Sequence, residues 1–412
     1  MMKSVPFTRS QIELLIKDHP TPFYIYDEIG IRKQTQRLIA AFAWNSGFKE
    51  YFAVKALPNP AILQILKDEG CGADCSSAPE LMLAARAGVR GEDIMFTSND
   101  TPEEEFIEAR RLGAIINLDD IGHVDFLEKN AGMPELISLR LNPGPGRSGN
   151  AIIGDPEQSK FGMTRAQILE GYSRLKAKGV KRFGLHAMVV SSELGADYFI
   201  ETARLLFELV REVHERVGID IEFANLGGGL GIPYTPAQSA LDLTAASEGI
   251  RKTYDECFGS GKLHRLKLFM ECGRYVTGPF GYFVARVRHV KHTYKTYVGL
   301  DACMANLMRP GMYGAYHHIT VLGKEHQPPS IKSDVVGSLC ENNDKFAIDR
   351  ALPAITPGDF VVIHDVGAYG HAMGFNFNGK LRSAEFLLHP DSSFTMIRRA
   401  ETLEDHFATL KF

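Results

Sequence analysis

The sequence predicts a (β/α)8 barrel followed by a mainly β domain, and three observations carry that prediction. At 412 residues the chain exceeds one typical domain, so two are expected. Up to about residue 280, short apolar runs alternate with amphipathic helical runs, the order of a sheet built from β-then-α units. Beyond residue 280 the period shortens to two, the mark of half-buried strands.

In chain order, the strand-like runs of the first part are Glu50–Val54, Gly72–Cys75, Ile94–Phe96, Ala114–Asn117, Leu136–Leu141, Arg182–Met188, Glu222–Leu226 and Lys267–Met270. Helix-like runs between them include Ala61–Lys67, Pro79–Ala87, Thr101–Leu112, Ile121–Lys129, Arg165–Lys178 and Ala196–Val217. Within the last, Ala203-Arg204-Leu205-Leu206-Phe207-Glu208-Leu209-Val210 repeats its apolar residues at helical spacing. Eight strands fit a closed barrel better than an open sheet, because no Gly-x-Gly-x-x-Gly opens the first unit. In the second part, Phe283 to Lys291 and Lys295 to Leu300 alternate apolar and polar residues, and Asp359–His364 and Ala384–Leu388 are further strands. Pro22-Phe23-Tyr24-Ile25-Tyr26 also reads as a strand and is expected to cross over to the β domain. The expected boundaries are a barrel over 28–280 and a β domain over 281–412, with 1–27 contributing to the latter. There is no internal repeat and no low-complexity tract.

Composition excludes several function classes. A hydrophobic content of 44%, a charged content of 23% and a formal charge of −4 are ordinary for a globular protein and argue against a general nucleic-acid binder. Lys181-Arg182 and Arg398-Arg399 read as solvated pairs. No apolar run approaches the ~20 residues that span a bilayer. Met1 to Pro20 lacks the long apolar core of a secretory leader, so a cytoplasmic location is expected. The six cysteines are scattered; Cys71-Gly72-Ala73-Asp74-Cys75 is no CxxC pair, and no second pair completes a zinc site. Reduced thiols and no metal are expected.

Several strand ends carry chemistry-bearing residues. Glu50-Tyr51-Phe52-Ala53-Val54-Lys55-Ala56 leads an apolar run into one cation, which by itself is most simply a solvated strand end. Asn225-Leu226-Gly227-Gly228-Gly229-Leu230-Gly231 follows a strand, and consecutive glycines expose backbone N–H groups as an anion nest; a flexible turn is the equal alternative. Met270-Glu271-Cys272-Gly273-Arg274 offers a carboxylate to a protonated ring nitrogen and a cation to an anion, or else a strand-end ion pair. Arg309-Pro310-Gly311-Met312-Tyr313-Gly314-Ala315-Tyr316-His317, Cys340-Glu341-Asn342-Asn343-Asp344 and Asp365-Val366-Gly367-Ala368-Tyr369-Gly370 would each pass singly as a turn.

Together, and with Ser159-Lys160-Phe161-Gly162, these segments resemble the fold type III, pyridoxal-phosphate-dependent amino-acid decarboxylases, most closely the diaminopimelate decarboxylases. The likeness runs in register from about Thr21 to Ala408. It implies an alanine racemase-like barrel that binds pyridoxal 5'-phosphate, a C-terminal β domain, a small amino-acid substrate, and a homodimer with shared active sites. It implies that Lys55 forms the Schiff base with the cofactor aldehyde. Gly227, Gly228 and Gly229 would bind the phosphate, with Ser191 and the backbone of Gly273 and Arg274 as neighbours, and Tyr369 would touch phosphate and substrate. Glu271 would pair with the pyridinium nitrogen, raising that nitrogen's pKa by opposite charge. Arg274, Arg309 and Tyr313 match residues that hold a distal substrate carboxylate, with Glu341 near the distal amine. Cys340 matches the thiol that crosses a dimer interface and is the candidate proton donor, Lys55 being the other.

The chain departs from that pattern at Gly184-Leu185-His186-Ala187-Met188-Val189-Val190-Ser191. Met188 stands where relatives stack a second histidine on the cofactor ring, and Val190 replaces a glycine; a thioether can still lie against an aromatic face. His186 keeps the first histidine, in a supporting role. Cys272 replaces a usual proline, and Asn342-Asn343 a usual Ser-Gly. The reaction implied is decarboxylation of meso-diaminopimelate. The alternatives are a sibling decarboxylase acting on another amino acid (D-lysine, D-ornithine or a carrier-linked acyl amino acid), a non-catalytic regulatory homologue, which would be expected to lose Lys55 or Cys340, and a racemase, which would need a second proton-handling residue.

Overall fold

The computed structural model describes residues 3–146, 155–259 and 265–412. The chain forms two compact units: Arg32–Ile232 with Ser239–Val276, and Met1–Ile31 with Pro233–Gln238 and Thr277–Phe412. Strand β1 (Phe23–Asp27) belongs to the second unit.

In the first unit, eight parallel strands close into a barrel: β2 (Lys49–Ala53), β3 (Gly72–Cys75), β4 (Ile94–Thr97), β5 (Ile115–Leu118), β6 (Leu136–Leu141), β7 (Arg182–Ala187), β8 (Ile221–Asn225) and β9 (Lys267–Met270). All eight expected strands are present, each within a residue or so of its predicted bounds. Some of the helices between them start where a side chain caps the first turn. Asn59 accepts the Ala61 N–H at 3.0 Å ahead of Pro60–Asp68, and Thr164 and Gln167 form a reciprocal capping box before Arg165–Ala177. The longest helix, Ala196–Val217, buries Phe199, Ala203, Leu206, Phe207, Val210 and Val213 on one face, as its spacing predicts.

The barrel interior is layered by the two-residue period of its strands. Tyr51, Met95, Ile115, Leu136, Phe223 and Phe269, from six different strands, pack into one apolar cluster. The Phe223 and Phe269 rings stack with centroids 4.4 Å apart. The other two strands supply Gly72 and Gly184 at this level, and a Cβ there would strike the rings of Tyr51 and Phe223. Two residues further along each strand stand Ala53, Asp74, Thr97, Asn117, Ser138, His186, Asn225 and Glu271, all buried and seven of them polar. The apolar layer is thus a floor, and a polar layer lies above it on the C-terminal side of the strands, where barrels carry their chemistry. Below the floor the N-terminal strand ends are charged. Glu222 accepts from Arg182 Nε at 2.8 Å and Lys267 Nζ at 2.9 Å, Arg182 also pairs with Glu92, and Lys49 pairs with Asp93.

The second unit is a nine-stranded, mainly antiparallel sheet. It adds β10 (Gly281–His292), β11 (Thr296–Leu300), β12 (Ile319–Val321), β13 (Ile331–Val336), β14 (Lys345–Leu352), β15 (Phe360–Ile363), β16 (Ala384–Leu388) and β17 (Phe394–Arg398). The main path runs β14-β13-β11-β10-β1-β16-β17, with β15 pairing β10 and β12. β1 lies antiparallel to β10 (Phe23 opposite Val284) and parallel to β16 (Phe23 opposite Ala384), and its burial on both faces explains its continuous apolar run. Phe7, Ile12, Phe23, Ile25, Tyr282, Val284 and Phe386 belong to the core of this unit. The strands β12, β13, β14 and β17 carry no clear alternation and lie outside the predicted runs; Asp334, for instance, is a fully buried carboxylate in β13 held by Lys295 and Lys345. Among the described residues no helix is long and apolar enough to cross a membrane, no group of side chains could hold a metal, and all six cysteines are free.

The charged barrel base predicts an acid-sensitive contribution to stability. Hydrogen bonds from Arg182, then Lys267, outweigh burial and hold the Glu222 carboxyl at about 2, below its ordinary 4.5. A depressed carboxyl stabilises the folded state above its unfolded range, and that contribution is lost as the pH falls from about 4.5 towards about 2. Denaturant unfolding measured across that window should therefore show a shallower acid limb for Glu222→Gln than for the parent; identical limbs would contradict the assignment.

Candidate active site

Lys55 stands just past β2 rather than on it, in a single 3-10 turn over Val54–Ala56. The strand stops because the Leu57 N–H closes back on the Val54 carbonyl and Pro58 has no N–H for a ladder. Val54 and Ala56 are buried, while the lysine side chain is half exposed at the barrel mouth. Its ammonium lies 3.6 Å from the carboxylate of Asp74, on the neighbouring strand and fully buried. Burial pushes the Asp74 carboxyl well above its usual range, the charge of Glu271 adds to that, and Lys55 opposes both.

Glu271 behaves in the opposite sense. Its Oε1 accepts from Asn225 Nδ2 at 2.7 Å, and its Oε2 faces His186 Nε2 at 3.3 Å. Burial alone would raise this carboxyl, but His186, then Lys55 and Arg140, hold it below the ordinary value. Two carboxyls thus share one polar layer in opposed states, Asp74 favouring its proton and Glu271 its charge. Such separation is characteristic of sites that handle protons.

The glycine segment is welded to the same turn. Asn225 Oδ1 accepts the Gly227 N–H at 2.8 Å, and the Gly227 carbonyl accepts the Glu271 N–H at 2.9 Å. Gly227 and Gly229 have φ of +69° and +94°, a left-handed backbone that glycine adopts readily. A Cβ on Gly228 would collide with the Glu271 carbonyl oxygen. Met188 lies directly on this loop, its sulfur 3.2 Å from the Gly228 nitrogen. Gly273 and Arg274 open the short helix Gly273–Thr277, and Ser191 follows β7 in the loop that pairs with Leu230 through Glu193.

Ser159-Lys160-Phe161-Gly162 gains a structural role. Arg140, at the end of β6, pairs with Asp119 at 3.1 Å and lies over the Phe161 ring, 4.6 Å from its centroid. The Gly162 N–H also reaches Asp119, at 3.2 Å. The segment therefore orients Arg140, whose charge acts on Glu271.

The second unit holds the other expected residues. Arg309 opens a short helix, Arg309–Tyr313, and is buried. Its Nη1 donates to Tyr234 Oη at 2.9 Å and faces His317 Nε2 at 3.3 Å, and the guanidinium lies over the Tyr234 ring. Tyr313, Cys340 and Glu341 are exposed. Asp344 binds the Met304 N–H at 2.6 Å and the Leu339 N–H at 2.8 Å, and Gly311 packs directly on the Asn343 carbonyl. The turn bearing Cys340 and Glu341 is thereby fastened to the helix bearing Arg309. Tyr369 has φ of +58° and Asp365 of +60°, so the loop between them is strained at two non-glycine positions. Lys3 pairs with Asp365 and with the Pro233 carbonyl, the latter at 3.0 Å.

The structure thus gathers Lys55, Met188, Gly227 to Gly229, Glu271, Gly273 and Arg274 in the barrel, and Arg309, Tyr313, Cys340, Glu341 and Tyr369 in the second unit. Sequence reasoning gave no role to Asp74, Asn225, Arg140 or Tyr234. The first two had a legible signal, a polar residue two places beyond a floor residue in an apolar strand. Tyr234 had none, because its partner is 75 residues away.

Known proteins match along almost the entire chain. Residues 29–278 fit the family described as "Pyridoxal-dependent decarboxylase, pyridoxal binding domain". Protein TabA of Pseudomonas amygdali pv. tabaci is 44% identical over 97% of this chain and 94% of its own length. The diaminopimelate decarboxylase of Methanothermobacter thermautotrophicus is 36% identical over 95% and 92%. Among solved structures, the diaminopimelate decarboxylase from M. jannaschii in co-complex with L-lysine superposes with a TM-score of 0.89 at 31% identity, covering 97% of this chain and 94% of that one. The chain belongs to the fold type III pyridoxal-dependent decarboxylases, enzymes whose cofactor is pyridoxal phosphate.

Proposed function

We propose that this enzyme decarboxylates an amino acid bearing a second carboxylate at its far end, and that meso-2,6-diaminopimelate is that substrate, yielding L-lysine and CO2. The observation that carries the reading is Arg309, a buried guanidinium whose orientation is held by Tyr234 and His317. A fixed planar cation suits a carboxylate far better than it suits the terminal ammonium of a simple diamine precursor. The names of several relatives support the same substrate. A sibling decarboxylase acting on another amino acid is the second reading, favoured by Met188 and by the differently named relative with 44% identity.

The barrel residues fit the cofactor. An ionised carboxylate suits a ring nitrogen, a loop of three glycines lets a phosphate approach the backbone closely, and a half-exposed amine suits an aldehyde. When bound, the cofactor ring delocalises the electron pair left at Cα as CO2 departs. Lys55 would supply the amine for the cofactor's aldehyde, and Asp74 holds that amine at the mouth. Glu271, kept ionised and oriented by Asn225 and His186, holds a proton on the ring nitrogen. Gly227, Gly228 and Gly229, with Ser191, Gly273, Arg274 and Tyr369, would hold the phosphate, and Met188 would face the ring. Arg274, Arg309 and Tyr313 grip the distal carboxylate, Glu341 the distal amine, and Tyr369 also touches the substrate. Cys340 delivers a proton to Cα and, being exposed, does so across the interface of a cytoplasmic homodimer.

Three outcomes are expected. Reconstituted with pyridoxal phosphate, the protein should show a visible absorption band that Lys55→Ala abolishes; a colourless parent would refute the cofactor assignment. Arg309→Ala should raise KM for meso-diaminopimelate by roughly ten- to a hundredfold, as expected for a lost charged hydrogen bond, and leave D- or L-lysine unaffected in the same CO2-release panel. Equal losses on all substrates would reassign Arg309. Cys340→Ala should lower kcat by about 10²-fold or more with little change in cofactor affinity, the size of effect general acids provide; unchanged turnover would remove its role as donor.

A further inference from the structure

The turn that carries Glu271 is held from behind by a carboxyl that has no place in the chemistry described so far. Glu50 lies on β2 with Met270 of β9 as its register partner, and it is almost completely buried. Its Oε1 accepts the backbone N–H of Cys272 at 2.6 Å. Its Oε2 is buried without a hydrogen-bond partner among the described residues. A carboxyl buried in a barrel strand disfavours folding unless it serves a group that would otherwise be orphaned. Cys272 supplies such a group. Its N–H is buried between Glu271 and Gly273, in a turn with no slack: the Glu271 N–H is bound to Gly227, the Gly273 N–H to Glu271 at 3.1 Å, and a Cβ on Gly273 would come within 2.6 Å of the Ala56 methyl, next to Lys55. A displacement of Cys272 would move Glu271, the glycine loop and the Lys55 turn together.

We propose that Glu50 is a positioning residue, which through the Cys272 N–H sets the turn that points Glu271 at the cofactor's ring nitrogen. The inference rests on the assignment of Glu271 made above. Burial, opposed by the Cys272 N–H and reinforced by the charge of Glu271, pushes the Glu50 carboxyl up to about 8, so at neutral pH it works as a neutral acceptor. An amide oxygen can take its place. Proline at 272 removes the need for it altogether, since proline has no N–H.

The test uses the holoenzyme with pyridoxal phosphate, reading the position and pH dependence of the visible band, the cofactor dissociation constant and kcat. Glu50→Gln should preserve all three within about threefold. Glu50→Leu should lower kcat by roughly tenfold or more and alter the band's pH profile, the scale expected for one orphaned buried N–H. Glu50→Leu/Cys272→Pro should recover most of that loss, a coupling that two independent sites would not show. If Glu50→Leu does not fold, recovery of a folded, coloured double variant supports the pairing, and a double variant as damaged as the single one overturns it. An unaltered band and kcat in Glu50→Leu also overturn it. Glu271→Gln, run in parallel, separates the two ideas. If it leaves the band unchanged, the assignment of Glu271 fails; if it alters the band while Glu50→Leu does not, only the role of Glu50 fails.

Discussion

An ionised carboxylate inside a closed barrel is the constraint around which the rest of this site is organised. Desolvation opposes the charge on Glu271, and it persists because four groups compensate: the His186 ring, the Asn225 amide and the cations of Lys55 and Arg140. Two of these groups are in turn fixed by something else. Asn225 is tied to Gly227, and Arg140 is held by Asp119 and the Phe161 ring. The glycine loop, the Ser159–Gly162 segment and the strand-end lysine are therefore parts of one electrostatic arrangement. Asp74 shows the limit of that arrangement. The layer holds one carboxyl below its ordinary range, and burial and the charge of Glu271 push the second well above it.

The floor explains how a barrel tolerates such a layer. Six large apolar side chains and two glycines fill the level below, so the polar layer is walled off from the charged base by packed rings. The base contributes a second electrostatic system, Arg182 and Lys267 around Glu222, on the far side of that wall. The division follows from the strand period alone: side chains two residues apart point inward at successive heights.

The β unit answers a different demand. Its sheet presents turns rather than strand ends, and it holds them by carboxylates that accept a backbone N–H or a lysine ammonium. Asp344 fastens the Cys340 turn, and Asp365, paired with Lys3, anchors the strained loop that carries Tyr369. Arg309 is buried against Tyr234 and His317, so its geometry is set before any ligand arrives. A cation ordered in advance loses less entropy on binding a carboxylate than a surface lysine would.

Much of this was legible in the residues. The eight barrel strands, the crossing of β1 into the β sheet, and the lysine, glycine and Glu271 segments follow from local properties: apolar period, turn chemistry and the order of motifs. The strands β12, β13, β14 and β17 did not, because their burial is set by neighbours distant in sequence rather than by their own alternation. Tyr234 and Arg140 are cases of the same kind, since one gains its role from an arginine 75 residues away and the other from an aromatic ring across a loop. Glu50 is the sharpest example. Its letter in an apolar run reads as an exception to the pattern, and only the fold reveals the buried Cys272 N–H beside it. By itself the sequence determined which residue types stand at the strand ends and in what order, since periodicity and backbone chemistry are local. Only the tertiary structure decided which carboxyl is pushed towards its charged form and which away from it, because that depends on burial and on partners brought together from separate strands.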